Sequence, residues 1–314
     1  MKNVIRLAIA MLLSLAMFLP NSVSAESEII EADGDYVMDS RLDETAASAT
    51  ARAREEAKRN AVERAGVFVQ AYSKTKNLVL EEDEVKTITA HLLKILDEKN
   101  SVEVLQDNLL KFTVHIWAEV DASDPQQLQA LMSNRNLIDE MTARNNELQR
   151  QYDALKRQME ELKTQYDSAS DSRKAELKRA AAQNDERFKA MQELEKVYAL
   201  NNRANAYAAL GQYQNALDTL LAALEMKSDM PELHNNLGSV YVSLNRLDDG
   251  LREYNEALRL NPNYADALFN RGCIFYRRGK YSDALKDAEK AARFKPDDVA
   301  IRQLKEHAKA KLNG

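Results

Sequence analysis

A single cysteine, Cys273, leaves this chain with no internal disulfide, so its fold rests on packed side chains. The thiol reads as a small buried side chain rather than a reactive one. Glycine and proline are scarce, 8 and 5 in 314 residues, which argues against loop-rich architectures and for an ordered, helix-rich chain. The four histidines, His91, His115, His234 and His307, are scattered with no second ligand at metal spacing, so no metal is expected. No serine elbow, phosphate loop or Cys-His pair is present, so no catalytic residue and no cofactor is implied and the chain reads as a non-enzyme. His115 beside Trp117 is the one polar-aromatic cluster, and a solvated or packing face accounts for it better than a site. A hydrolase would require a cleft of converging titratable groups within residues 26–124.

Long apolar runs are also missing, with one exception at the start. Lys2 and Arg6 precede the apolar or small run Leu7 to Leu19, followed by Pro20 and the small-residue site Val23-Ser24-Ala25. That pattern predicts a secretory signal peptide over 1–25, cleaved near Ala25, and a periplasmic or otherwise extracytoplasmic protein. A run this short falls below the roughly 20 residues that span a bilayer, so no membrane span is expected in the mature chain. An uncleaved anchor is the competing reading, and no cysteine is placed for lipid attachment. Losing Lys2 and Arg6 takes the formal charge from −6 to −8, which gives no basic footprint for nucleic acid and points to protein partners.

What the chain has in abundance is repetition. Ala204, Gly238 and Gly272 stand at successive steps of 34 residues. In the same register fall Tyr207, Tyr241 and Phe275, then Gly211, Asn245 and Gly279, then Ala216, Gly250 and Ala284, then Ala223, Ala257 and Ala291. Small residues let paired helices approach, aromatic rings fill between them, and Gly or Asn provides a left-handed cap. Pro262 and Pro296 end the second and third units. These columns resemble the tetratricopeptide family, with three repeats over 197–298 and a capping helix over 299–314. Gly250 and Ser228 depart from the alanine and proline usual in that family.

The resemblance implies a concave wall built from the first helix of each unit. Its expected lining is Tyr198, Asn201, Asn205, Ala208 and Ala209, then Glu232, Asn235, Ser239, Val242 and Ser243, then Asp266, Phe269, Cys273, Tyr276 and Arg277. Asn202, Asn236 and Asn270 form a further column; either they hydrogen-bond the backbone of a bound peptide, or they cap and solvate a helix face. Asn205 and Asn236 match polar positions of the family's carboxylate clamp. Asn201, Asp266 and Asn270 stand where that clamp has Lys or Arg, so a C-terminal carboxylate is not the expected ligand.

Over 126–196 a long polar helix is predicted. Ile138, Met141, Asn145, Leu148, Tyr152, Leu155, Met159, Leu162, Tyr166 and Ala169 follow alternating steps of three and four, a heptad seam about 48 Å long. The phase shifts near Asp167 to Ser172, and Leu177, Ala181, Asn184, Phe188, Met191 and Tyr198 continue on a new stripe. Self-association through 138–169 is favoured; the alternative folds Lys174 to Lys196 back as a hairpin, with Glu176, Glu186 and Glu193 facing the basic flank of the first helix.

Residues 26–124 read as a small α+β unit: a strand near Asp35 to Met38, a helix striped by Ala46, Ala49, Ala53, Ala57, Ala61, Ala65 and Phe68, and a second helix from Glu81 to about Lys94. A hairpin of Ser101–Gln106 and Leu109–Val120 closes it. At Gly34-Asp35-Tyr36-Val37-Met38, Ala65-Gly66-Val67-Phe68-Val69, Asn77 and Glu82-Asp83-Glu84-Val85 this unit resembles the N-terminal domain of flagellar assembly protein T and related envelope lipoproteins, which implies an envelope assembly component. The order of coiled coil then repeats is similar to periplasmic proteins that coordinate peptidoglycan synthesis with outer-membrane constriction. The expected fold is therefore mainly α, with a small α+β domain, a coiled-coil helix and a C-terminal solenoid. The expected function is an exported scaffold that holds a protein or peptide in its groove. A structural subunit of a flagellar or envelope ring, and a periplasmic regulator of cell-wall enzymes, are the alternatives.

Overall fold

The computed structural model describes residues 29–105, 108–120, 131–132 and 134–313, so the expected export signal lies outside the described residues. The N-terminal unit runs β1 (Ile29–Asp39), α1 (Ala46–Thr75), α2 (Glu82–Leu92), β2 (Leu93–Val104) and β3 (Leu109–Val120). The strands form one antiparallel sheet in the order β1-β3-β2. Alternation along β3 buries Phe112, Val114, Ile116, Ala118 and Val120 on the face that α1 covers. Helix α1 starts where the Thr45 hydroxyl caps the Ser48 amide at 3.1 Å. Its alanine stripe, Ala49, Ala53, Ala57 and Ala61, is fully buried.

Two strands are longer than their residues suggested. β1 begins at Ile29, not near Asp35, and β2 begins at Leu93, not Ser101, shortening the second helix to Leu92. Lys94, Asp97, Glu98 and Lys99 have no strand signal of their own; β3 pairs β2 along its length, from Leu93 opposite Val120 to Val104 opposite Leu110.

The largest correction concerns the central rod. Helix α3 (Arg135–Tyr166) ends at the polar patch, and α4 (Asp171–Ala209) returns against it. The hairpin forms, and the seam expected to face a second copy faces inward instead. Met159 and Leu162 join Leu177 and Ala181 of α4 in the core beneath the sheet, while Tyr152 and Leu155 pack with Phe188 and Met191. Ile138 and Met141 close over α1 and α2 with Val69, Val85 and Ile88. A heptad pattern specifies a helix with one narrow apolar stripe; it does not specify whether the covering helix belongs to another chain. Glu176, Glu186 and Glu193 do not reach across the hairpin but pair within α4, with Arg173, Lys189 and Lys196.

Helix α4 passes the expected rod–repeat boundary at 196/197 without a break and becomes the first repeat helix. After it come α5 (Tyr213–Met226), α6 (Pro231–Ser243), α7 (Leu247–Leu260), α8 (Ala265–Arg277), α9 (Tyr281–Phe294) and the capping α10 (Val299–Asn313). Each first helix packs on the second helix of its unit, and α10 covers the end of the stack through Ile301, Leu304 and Ala308. No described helix is long and apolar enough to cross a membrane.

Candidate interaction groove and interdomain cleft

The repeat columns act in the structure as their chemistry requires. Gly211, Asn245 and Gly279 each take positive φ, 73°, 60° and 73°, and turn the chain from first to second helix. Gly250, where alanine is usual, lies where α6 and α7 nearly touch: a Cβ there would sit 2.8 Å from Val242 and 2.9 Å from the Gly238 carbonyl.

The asparagines do something the 34-residue columns did not reveal. Asn236 Nδ2 donates to Asn201 Oδ1 at 2.8 Å, and Asn270 Nδ2 donates to Asn235 Oδ1 at 3.0 Å. Each bond joins a first helix to the first helix of the preceding unit, across 35 residues rather than 34. Asn235 also donates to Asn236 at 3.3 Å. Asn201 and Asn235 are buried, so they belong to the spine of the array rather than to its open wall. Asn202 has its carbonyl oxygen enclosed with no hydrogen-bond partner among the described residues.

The other expected lining residues are more accessible. Asn205, Ser239, Phe269, Cys273 and Tyr276 are half-buried, and Ser243 and Arg277 are exposed. Ser239 Oγ donates to the Asn235 carbonyl at 3.1 Å and lies 3.1 Å from the Tyr254 hydroxyl. Phe269 packs against the Ala257–Leu258 core, and Tyr276 stacks edge-on upon Tyr281 at 5.3 Å. Burial pushes the Cys273 thiol up to about 11, which suits a packing role better than a nucleophile. Helix α3 flanks one end of this wall: the Arg144 guanidinium lies 5.2 Å from the Tyr198 ring. Burial raises the Tyr264 hydroxyl, and the charges of Asp266, Glu232 and Glu140 raise it further, against Arg144. That end is acidic, with Asp266 already paired to Lys295 at 2.6 Å.

A second concavity, about 580 Å³, lies between the N-terminal unit and the helical hairpin. Leu93, Ile95, Leu148 and Met191 line it with charged groups from α1 and α4. Lys58 Nζ sits 2.8 Å from Glu55 and 3.7 Å from Glu195. Burial and the nearby Glu55 raise the Glu195 carboxyl. Several of these charges are paired with one another within the cleft. No run of sequence signals it, because its walls come from five separate elements. His115, by contrast, lies outside this cleft, with Nδ1 2.7 Å from Asp33 and its ring 4.2 Å from Trp117.

Comparison with known proteins identifies the array. The tetratricopeptide repeat family matches residues 235–299, and a second TPR repeat family matches 204–245. This part of the chain is a set of tetratricopeptide repeats, a fold that typically serves as a non-enzymatic protein-interaction scaffold. Among solved structures, the chain is similar to the first TPR domain of Spaghetti bound to an HSP90 peptide, at 24% identity over 38% of this chain and 95% of that one, with a TM-score of 0.37. It is also similar to the Sgt2 TPR domain of Aspergillus fumigatus, at 21% identity over 38% and 80%, TM-score 0.36. A third is the second TPR domain of human RPAP3 in complex with an HSP70 peptide, at 18% identity over 37% and 98%, TM-score 0.35. No curated protein matches the chain.

Proposed function

We propose that this protein is an exported scaffold of the cell envelope that holds an extended segment of another protein in the hollow of its repeats, while its N-terminal unit docks to an envelope assembly. The observation that carries this reading is the accessible wall at Asn205, Ser243 and Arg277, next to an asparagine spine that is already hydrogen-bonded within the array. A spine so engaged sets the curvature of the wall, and contact with the ligand falls to the side chains around it. The apolar run Leu7 to Leu19 behind Lys2 and Arg6 supports export, and the residues quoted above from 34 to 85 support the envelope role.

Peptides named with the similar structures are chaperone segments, and a clamp for their terminal carboxylate needs cations. Here Asn201 is buried, Asn270 donates to Asn235, and Asp266 is an acidic side chain already paired with Lys295, so a terminal carboxylate finds no cationic partner at these positions. The test is capture of partners by crosslinking from envelope extracts. Asn205→Arg with Arg277→Glu should abolish capture, whereas Lys286→Glu on a second helix of the array should not. Equal capture by both variants would remove the groove from the function.

A further inference from the structure

Among the described residues, a buried cluster of charges lies outside the repeats, where α1 meets α4. Arg52 on α1 is 1% exposed and is the nearest cation to two buried carboxylates from different elements. Its Nη2 donates to Asn184 at 2.8 Å and to Asp185 at 3.2 Å, both on α4. Its Nε is 3.4 Å from Glu44, on the segment leading into α1. The guanidinium also lies over the Phe188 ring of α4 at 4.3 Å. Asp185 has a second donor in the Ser48 hydroxyl, whereas neither oxygen of Glu44 has a hydrogen-bond partner among the described residues. Lys163 of α3 bonds the Val37 carbonyl, pairs with Glu160 at 3.2 Å and lies over the Tyr36 ring at 4.3 Å, and its charge acts on Glu44 without a direct ion pair.

Two enclosed carboxylates share one guanidinium, and the further cation that acts on Glu44, Lys163, holds other partners, so Glu44 is enclosed without a hydrogen-bonded cation, a costly state for a carboxylate. Asp185 accepts from both the Ser48 hydroxyl and Arg52, whereas Glu44 is faced by the Tyr36 hydroxyl without a formed hydrogen bond, so Glu44 is the member that takes a proton. We propose that Glu44 is a proton-operated latch between the N-terminal unit and α4: protonated, it lets Arg52 hold Asp185 and Asn184; deprotonated, it competes for Arg52 and loosens α4 from α1. Because α4 continues unbroken into the first repeat, the latch controls how firmly the repeats are held to the N-terminal unit.

The direction follows from linkage. Burial pushes Glu44 up to about 7, opposed by Tyr36, Lys163 and Arg52 and assisted by Asp185. An unfolded glutamate titrates near ~4.3, so between there and neutrality the folded form keeps a proton that the open form gives up. The closed state is therefore favoured in acid and weakens as pH rises through this window, levelling off once Glu44 has ionised. Opening of the segment around residues 177–191 should increase roughly 50- to 100-fold between pH 5 and pH 8.

Hydrogen exchange on the full chain, corrected for the intrinsic pH dependence of amide exchange, reads that opening directly. In the wild-type chain exchange over 177–191 should rise with pH as stated, and in Glu44→Gln, which mimics the protonated acid, it should stay flat. Asp185→Asn removes the competitor and frees Arg52 for Glu44, so it should move the midpoint at least one pH unit lower. His234, raised by the Glu253 carboxylate and the Ser228 carbonyl against its burial, titrates in the second repeat and is read from separate peptides. An identical pH response in wild type and Glu44→Gln would overturn the latch. Should Glu44→Gln fail to fold, an unmoved midpoint in Asp185→Asn would do the same.

Discussion

Gly34 shows how little room a residue in the N-terminal unit can have. A Cβ at this position would lie 2.1 Å from both the Ala53 carbonyl oxygen and the Ala57 amide nitrogen, so α1 rests directly on the backbone of β1. Neither contact is the movable end of a side chain, and relief requires separating helix from sheet. Gly34→Ala should therefore destabilise the chain by at least about 2 kcal/mol, measured as a lowered urea midpoint with unchanged slope. Other residues of this unit have similar duties. Asn77 takes φ of 55° just after α1, Glu84 closes a capping box with Glu81 and pairs with Arg135, and Gly66 faces Val85. These positions thus serve how the unit is built.

Among the elements, the hairpin of α3 and α4 separates what sequence can say from what it cannot. The stripe positions Leu177, Ala181, Asn184, Phe188 and Met191 were legible from period alone and are buried, while the sixth, Tyr198, is half-buried. Their destination was not, because a period records which side of a helix is apolar and leaves open which surface covers it. The repeats were legible in more detail, since each column combines a residue type with a required backbone shape. Even there the Asn201–Asn236 and Asn235–Asn270 bonds were hidden, because they join different columns across a helix boundary. The buried Arg52 site was equally hidden: its members come from residues 44 to 188, and no spacing connects them. Phe188 tests the intrachain hairpin. It is fully buried between Tyr152 and the Arg52 guanidinium, at 5.9 Å and 4.3 Å. Phe188→Ala should cost about 3–5 kcal/mol of stability. If the seam serves one chain, sedimentation should show the same mass for variant and wild type; a loss of dimer in the variant would restore the interchain seam.

For the molecule as a whole, the decisive element is the unbroken α4, 39 residues long. Its first half belongs to the core beneath the sheet through Leu177 and Ala181, and its second half to the repeat core through Val197 and Ala204. One helix with both ends embedded cannot relax at one end without loading the other, so the N-terminal unit and first repeat should unfold together. A proline between the two embedded ends breaks that link, because it removes a backbone hydrogen bond and clashes with the preceding turn. Lys196 is suited to the test: its side chain is 62% exposed and, among the described residues, its one ion pair is with Glu193, so little packing is lost by replacing it. Lys196→Pro should cost about 3 kcal/mol in the helix and divide a single calorimetric transition into two, one for the N-terminal unit with the hairpin and one for the repeats. A single transition that merely moves to lower temperature would show that the two halves are held together by contacts other than the continuity of α4.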